Sequence, residues 1–181
     1  MKYFTPELHT RTSSLDDGQA DAAHEEWEKA VKRYEKRLAK IRPAFTSGLK
    51  KLTGELRLHD AQLLFFGQRE DRCILVFRPE QSPKTMVWLE YAMAAEPVIE
   101  TDVLPQDLQT NGCFFLYDEI DLMLRNGQRI FSHTILFTNG LHVRLNFRDI
   151  KIHAADQLVK VPETTSKKAV TSGLSPTRAL R

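Results

Sequence analysis

Only two cysteines occur in the 181 residues, Cys73 and Cys113, and both sit in apolar surroundings. They form no Cys-x-x-Cys pair, and no histidine is spaced to complete a tetrahedral zinc site. Buried, reduced thiols fit this pattern better than a disulfide framework. Long apolar runs are missing too. No stretch approaches the roughly 18 residues that a membrane helix needs, and the opening MKYFTPELHTRTSS lacks the apolar core of a secretion signal. Catalytic signatures are equally scarce, with no Gly-x-Ser-x-Gly elbow, no Walker loop and no dinucleotide glycine fingerprint. The expectation is a cytoplasmic protein that needs no cofactor and does not enter a membrane.

Charge of one sign is also lacking over most of the chain. The formal net charge is +2. From Gln157 onward five cations (Lys160, Lys167, Lys168, Arg178, Arg181) face Glu163 alone, a net +4 that leaves −2 on residues 1–156. A body so close to neutrality argues against nucleic acid as its partner, which would demand a strong basic patch. The tail from residue 157 has Pro162 and Pro176, many Ser, Thr and Lys residues and no apolar period, so it is expected to be disordered.

What remains, with 41% hydrophobic residues, is enough to bury a core, and residues 1–156 read as one α+β domain. Tyr3, Phe4, Pro6 and Leu8 make the first segment too apolar for a free tail, and it is expected to pack on the body. Ser13, Ser14, Asp16 and Asp17 offer helix-start chemistry. Beyond them Ala20, Ala23, Trp27, Val31, Tyr34, Leu38 and Ile41 recur at steps of three and four among charged residues, which predicts a long amphipathic helix over 16–42. Pro43 ends it. Phe45, Leu49 and Leu52 then predict a shorter helix ending at Gly54.

After Gly54 the period becomes two, and an antiparallel, meander-type sheet of about six strands follows, because no connection is long enough for a parallel crossover. Strands are predicted over 56–66, 72–78, 84–93 and 114–125, with a turn at 67–71, a short strand near 98–101 and a helical turn at 105–108. Asn126-Gly127 is a hairpin turn. Around Asn139-Gly140 two registers compete. A two-residue turn would pair Phe137 with His142 and mix apolar with charged groups. A three-residue loop with left-handed Gly140 pairs Ile135 with Val143, His133 with Leu145 and Phe131 with Phe147, giving one apolar face, and is the register expected. The apolar phase then slips to Ile150 and Ile152, predicting a β-bulge near Asp149.

Several constellations could carry chemistry. His59-Asp60 invites a general-base or metal reading. As neighbours on a strand, however, they would point to opposite faces and could not relay to each other. Asp118, Glu119 and Asp121 are oxygen donors suited to a hard cation, with Glu119 and Asp121 on one strand face, but no glycine-punctuated loop accompanies them. His133 falls on the core face and reads as hydrogen-bonded packing. The polar face of His142, Arg144, Asn146 and Arg148 offers planar donors for an acidic partner, against the plainer reading of a solvated surface. Trp88, Phe65, Phe77 and Phe115 could line a pocket between the sheet and the long helix, or could simply be core.

Met-Lys-Tyr-Phe-Thr-Pro-Glu-Leu at residues 1–8, Ala-His-Glu-Glu-Trp-Glu-Lys-Ala at 23–30 and Leu-His-Asp-Ala at 58–61 together resemble an uncharacterised family of small bacterial proteins. The resemblance spans roughly residues 1–66. It implies a bacterial origin and carries no activity or site residue with it. The His-Asp-Ala stretch is also similar to some bacterial immunity-type proteins, whose role is to bind and block a toxin. The functional expectation is therefore a non-enzymatic protein-interaction module of immunity or accessory type, binding through His142, Arg144, Asn146 and Arg148. The alternatives are a hydrolase or metal-dependent enzyme using His59 and Asp60 with Glu119 or Asp121, and a small-molecule binding domain.

Overall fold

The computed structural model describes residues 1–82, 85–100 and 112–156. The basic tail, the helical turn at 105–108 and the expected strand ends at Lys84 and Thr101 lie outside the described residues. The fold is α+β, three helices against a seven-stranded antiparallel sheet. Among the described residues no helix is long and apolar enough to cross a membrane.

Helix α1 spans Pro6–Thr12, opened by Thr5, whose hydroxyl accepts from the Leu8 N–H, and by Pro6, whose missing N–H costs nothing in a first turn. Helix α2 (Asp17–Ile41) is capped by Asp16, which accepts from Gln19 N–H at 2.9 Å. It ends where Pro43 forces a single 3₁₀ turn over Arg42–Ala44. Thr46 caps helix α3 (Ser47–Gly54) in the same way.

The apolar stripe of α2 serves two partners. Its first half, with Ala23 and Ala30 fully buried, packs on α1 together with Phe4 and Leu8. Its last turns, Leu38 and Ile41, join the main core under the sheet. Small side chains at positions 23 and 30 let α1 and the first residues approach the α2 backbone closely.

The strands are β1 (Gln62–Arg69), β2 (Arg72–Arg78), β3 (Thr85–Met93), β4 (Val98–Glu100), β5 (Phe115–Arg125), β6 (Gln128–Phe137) and β7 (His142–Asp156). Their order is β1-β2-β3-β7-β6-β5, with β4 also on β7. The strand order is one that the sequence left open. Two meanders meet along β7, which pairs with β6 over its first half and with β3 over its second. β4 pairs with residues 142–144 of β7, where β3 has already ended, so β3 and β4 occupy the same flank and read as one strand interrupted at Ala94–Pro97.

The β6–β7 hairpin has the three-residue register. Phe131 faces Phe147, His133 faces Leu145 and Ile135 faces Val143, with Gly140 at φ 78°. Asn126 and Gly127 both take positive φ in the tight β5–β6 turn. In the β3–β7 ladder Ala92 faces Asp149 but Met93 faces Phe147, so Arg148 is the extra residue of the expected bulge.

Two boundaries differ from the sequence reading. β1 starts at Gln62 rather than Leu56, because Ala61 N–H bonds back to Leu58 C=O and Asp60 adopts φ 62°, making residues 58–61 a turn. β1 also runs through Gly67–Arg69, and the turn shrinks to Glu70-Asp71. The sheet curls until residues 60–63 and 113–115 meet through backbone hydrogen bonds around the Gln62–Phe114 bridge, without closing into a barrel. The concave side is filled by α3 and the Phe45, Leu58 and Ala61 side chains.

Gly48 makes that docking possible. A Cβ there would stand 1.8 Å from the Ile150 carbonyl oxygen, a backbone atom that cannot swing away. Gly48→Ala is expected to cost about 3 kcal/mol or more through displacement of α3 from β7. Urea unfolding measures it, and a variant within about 0.5 kcal/mol of the parent, the range of an ordinary surface change, rules out this close contact.

Candidate functional site

β5 is the edge strand on which the site is built. Leu116 is an extra residue against β6, so Phe115 turns inward beside Phe137 while Tyr117 turns outward and Asp118 inward again. An edge strand exposes unpaired amides, and α2 supplies one acceptor. The Tyr34 hydroxyl takes the Ile120 N–H at 2.7 Å. Burial, then the nearby Asp118 carboxylate, pushes the Tyr34 hydroxyl far above its ordinary range, so it stays protonated.

The outer face of β5 is covered by the N-terminal segment, and Glu119 is the reason. Its carboxylate, 6% exposed, accepts the backbone N–H groups of Lys2, Tyr3 and Phe4 at 2.7 to 2.8 Å. Asp121 takes Lys2 Nζ at 2.6 Å and Arg37 Nε at 2.8 Å. Burial pushes the Asp121 carboxyl up, but the bonds from Lys2, Arg37 and the Leu122 N–H outweigh it and hold the carboxyl low. The Glu119 and Asp121 oxygens that the sequence offered to a cation are thus already taken by donors from the same chain. Among the described residues no group of three or more His, Cys, Asp or Glu side chains is arranged to hold a metal ion.

Between α2, the 56–60 loop and the start of β5 lies a cleft of about 550 Å³. Leu38, Leu52, Leu56, Leu58 and Phe115 form its apolar part, Phe4, Tyr34 and Tyr117 its aromatic wall, and Glu35, Arg57, His59, Asp60, Glu80 and Asp118 its ionisable groups. His59 and Asp60 do meet, contrary to the strand-based expectation. Nδ1 lies 2.7 Å from Asp60 Oδ2, because the residues occupy a turn and left-handed Asp60 swings its carboxylate back. The His59 ring stands edge-on to Tyr117 at 5.6 Å, and Trp27 packs on the same tyrosine at 4.5 Å. Burial, then Asp60, raises the Tyr117 hydroxyl above its ordinary range.

Behind the cleft runs a chain of polar groups that strand periodicity gave no means to assemble. His133, with no exposed surface, has Nε2 at 3.1 Å from Asp118 Oδ2 and Nδ1 at 2.7 Å from the Tyr91 hydroxyl. Its assignment to the core holds, with both ring nitrogens satisfied. Asp118 is the member that reaches the surface, its side chain 35% exposed at the cleft.

The other sequence-derived candidates are dispersed. His142 is buried, with Nε2 3.4 Å from the Met1 amino nitrogen and Nδ1 3.0 Å from Glu100; burial and that amino group lower its basicity. Arg144 lies 3.9 Å from Glu100, Arg148 donates to Met93 C=O, and Asn146 faces Ser132 on β6. Of the four aromatics, Phe77 and Phe115 pack together in the core at 5.7 Å, and only Phe115 reaches the cleft. Trp88 faces the outer side opposite His153, and Phe65 borders a separate apolar groove. Cys73 and Cys113 are buried free thiols, pushed up to about 12 and about 11 by burial.

No known family model matches the chain, and no curated protein matches its sequence.

Glu119→Ala leaves three amides without their acceptor and is expected to cost about 3 kcal/mol and to expose the first residues to proteolysis before global unfolding. An unchanged melting temperature with an intact N-terminal segment contradicts the anchoring role. Asp121, whose folded carboxyl is depressed, contributes stability that is fully present above its unfolded value of 3.8 and is lost as pH falls through the lower folded value. The acid limb of the stability curve should therefore flatten in Asp121→Asn. Both thiols should resist alkylation at pH 8 until the protein is unfolded, and rapid labelling of the native protein shows the burial to be wrong.

Proposed function

We propose that this chain is a non-enzymatic binding module whose ligand, a small molecule, enters the cleft between α2 and the start of β5. The carrying observation is the cleft itself. Its volume of about 550 Å³ is that of a small-molecule site, and it joins an apolar floor to a cluster of orienting polar groups. Its described lining contains no Ser, Thr, Cys or Lys, so a nucleophile of those four types is not presented to a ligand. The same concave surface supports a small-molecule ligand over a protein partner docked on the polar face of β7. His142 there is covered, and Arg144 and Arg148 have intramolecular partners.

One observation favours a hydrolase as the alternative. The His59–Asp60 contact of 2.7 Å supplies the orienting carboxylate that a water-activating histidine uses. In that reading His59 removes a proton from water while Asp60 stabilises the imidazolium, and Glu119 and Asp121 take no part.

The readings separate in a Trp88→Phe protein, whose remaining tryptophan, Trp27, lies against the cleft tyrosine. Aromatic fragments of about ten heavy atoms, a size at which detectable binding is expected, should change Trp27 emission and shift the NMR signals of His59, Tyr117 and Asp118 without being turned over. If no fragment shifts those signals, the cleft is not a binding site. Aryl ester hydrolysis that disappears in His59→Ala establishes the hydrolase reading instead.

A further inference from the structure

Within the cleft, charge and hydrogen-bond direction narrow the ligand class. Among the described lining residues four acidic side chains, Glu35, Asp60, Glu80 and Asp118, stand against one cation, Arg57, with His59 already engaged by Asp60. Asp118 differs from the other three in being held from behind. Tyr91 is wholly buried, and burial followed by nearby negative charge raises its hydroxyl well above the ordinary range, so it stays protonated. A carboxylate only accepts, so the Nε2 proton of His133 points at Asp118 Oδ2, and in the neutral ring Nδ1 then accepts from the Tyr91 hydroxyl. The relay therefore presents Asp118 with a donor and has no acceptor role to fill toward it.

A carboxylate held by one donor keeps further lone pairs for a ligand. Among the described residues Asp118 Oδ1 has no hydrogen-bond partner, and the carboxylate is 35% exposed on the cleft side. Tyr34 and Tyr117 stand in the same wall, and aromatic rings there can add attraction for a cation. We infer that the ligand is an ammonium group on an apolar stem, that Asp118 is its anchoring anion, and that His133 is the positioning residue that orients Asp118. The inference rests on the cleft being the binding site. An anion is disfavoured by four carboxylates, and a neutral ligand leaves Asp118 without a second donor in a partly desolvated place.

Three matched probes test it on the intact chain: 2-phenylethylamine, 2-phenylethanol and 3-phenylpropionate, titrated at pH 7 with NMR shifts of the cleft residues as readout. The amine should bind roughly tenfold or more tightly than the alcohol, and the carboxylate most weakly. Asp118→Asn should bring the amine down to the alcohol while leaving the alcohol unchanged. Tyr91→Phe, which keeps the ring and removes the donor to His133 Nδ1, should lower amine affinity severalfold, spare the alcohol, and scramble the wild-type Nε2–H signature in ¹⁵N spectra of His133.

If the alcohol or carboxylate binds the cleft as well as the amine, the cleft reading survives and the ammonium assignment is overturned. If none binds there, both fall. Amine binding that withstands Asp118→Asn but is lost in Asp60→Asn moves the anchor to the turn. Unchanged selectivity in Tyr91→Phe removes His133 from the positioning role. Should Asp118→Asn fail to fold, the ranking of the three probes on the wild-type chain still decides the ligand class.

Discussion

Three consecutive backbone amides converge on the buried carboxylate of Glu119, and much of the surrounding architecture depends on that contact. A carboxylate in so dry a place is tolerable only when its lone pairs are filled. Amides at the start of the chain would otherwise lie unpaired against an edge strand. Each side satisfies the other. Phe4 is thereby brought onto Trp27 at 5.0 Å and Tyr34 at 5.4 Å, and α1 onto the small-residue stripe of α2. With Tyr34 closing on Ile120 and Arg37 on Asp121, α2 is fixed alongside β5. The aromatic wall of the cleft is the inner lining of this arrangement.

The cleft itself comes from a mismatch in coverage. Helix α3 fills the concavity of the sheet and α2 guards its β5 edge, while the connection between α3 and β1 has to descend between them. It does so as a turn, not a strand, with Leu58 and Ala61 anchored in the core and His59 and Asp60 left on the rim. A loop held at both ends by buried side chains can present polar groups in a fixed geometry, as a binding site requires. The Tyr91–His133–Asp118 chain crosses the sheet from β3 through β6 to β5 and ties the rim to the densest part of the core.

What could be read ahead of the structure was whatever local rules decide. The Asp16 cap, the stop at Pro43 and the Asn126-Gly127 turn follow from short-range stereochemistry, whereas helix α1 with its Thr5 cap was not read. The register at Gly140 and the bulge at Arg148 were legible because a one-residue slip would have put Phe131, Ile135 and Val143 on the wrong face. The periodicity that made those inferences sound misled at Leu56–Ala61, where alternating Leu56, Leu58 and apolar neighbours imitate a strand. Left-handed Asp60 was invisible there, since aspartate in that conformation carries no marker in a single sequence.

The sequence by itself determined the α+β class, the limits of α2 and the end of α3, the hairpins and the apolar faces, because each rests on interactions between residues close along the chain or on a strict period of two. Only the tertiary structure decided that β3 lies beside β7, that Glu119 binds amides 115 to 117 positions away, and that His133 joins Tyr91 to Asp118. Those pairings depend on which strands become neighbours when the sheet curls around α3. Partners brought together across such long separations leave no periodic trace in the order of residues, and their chemistry exists only once the core has closed.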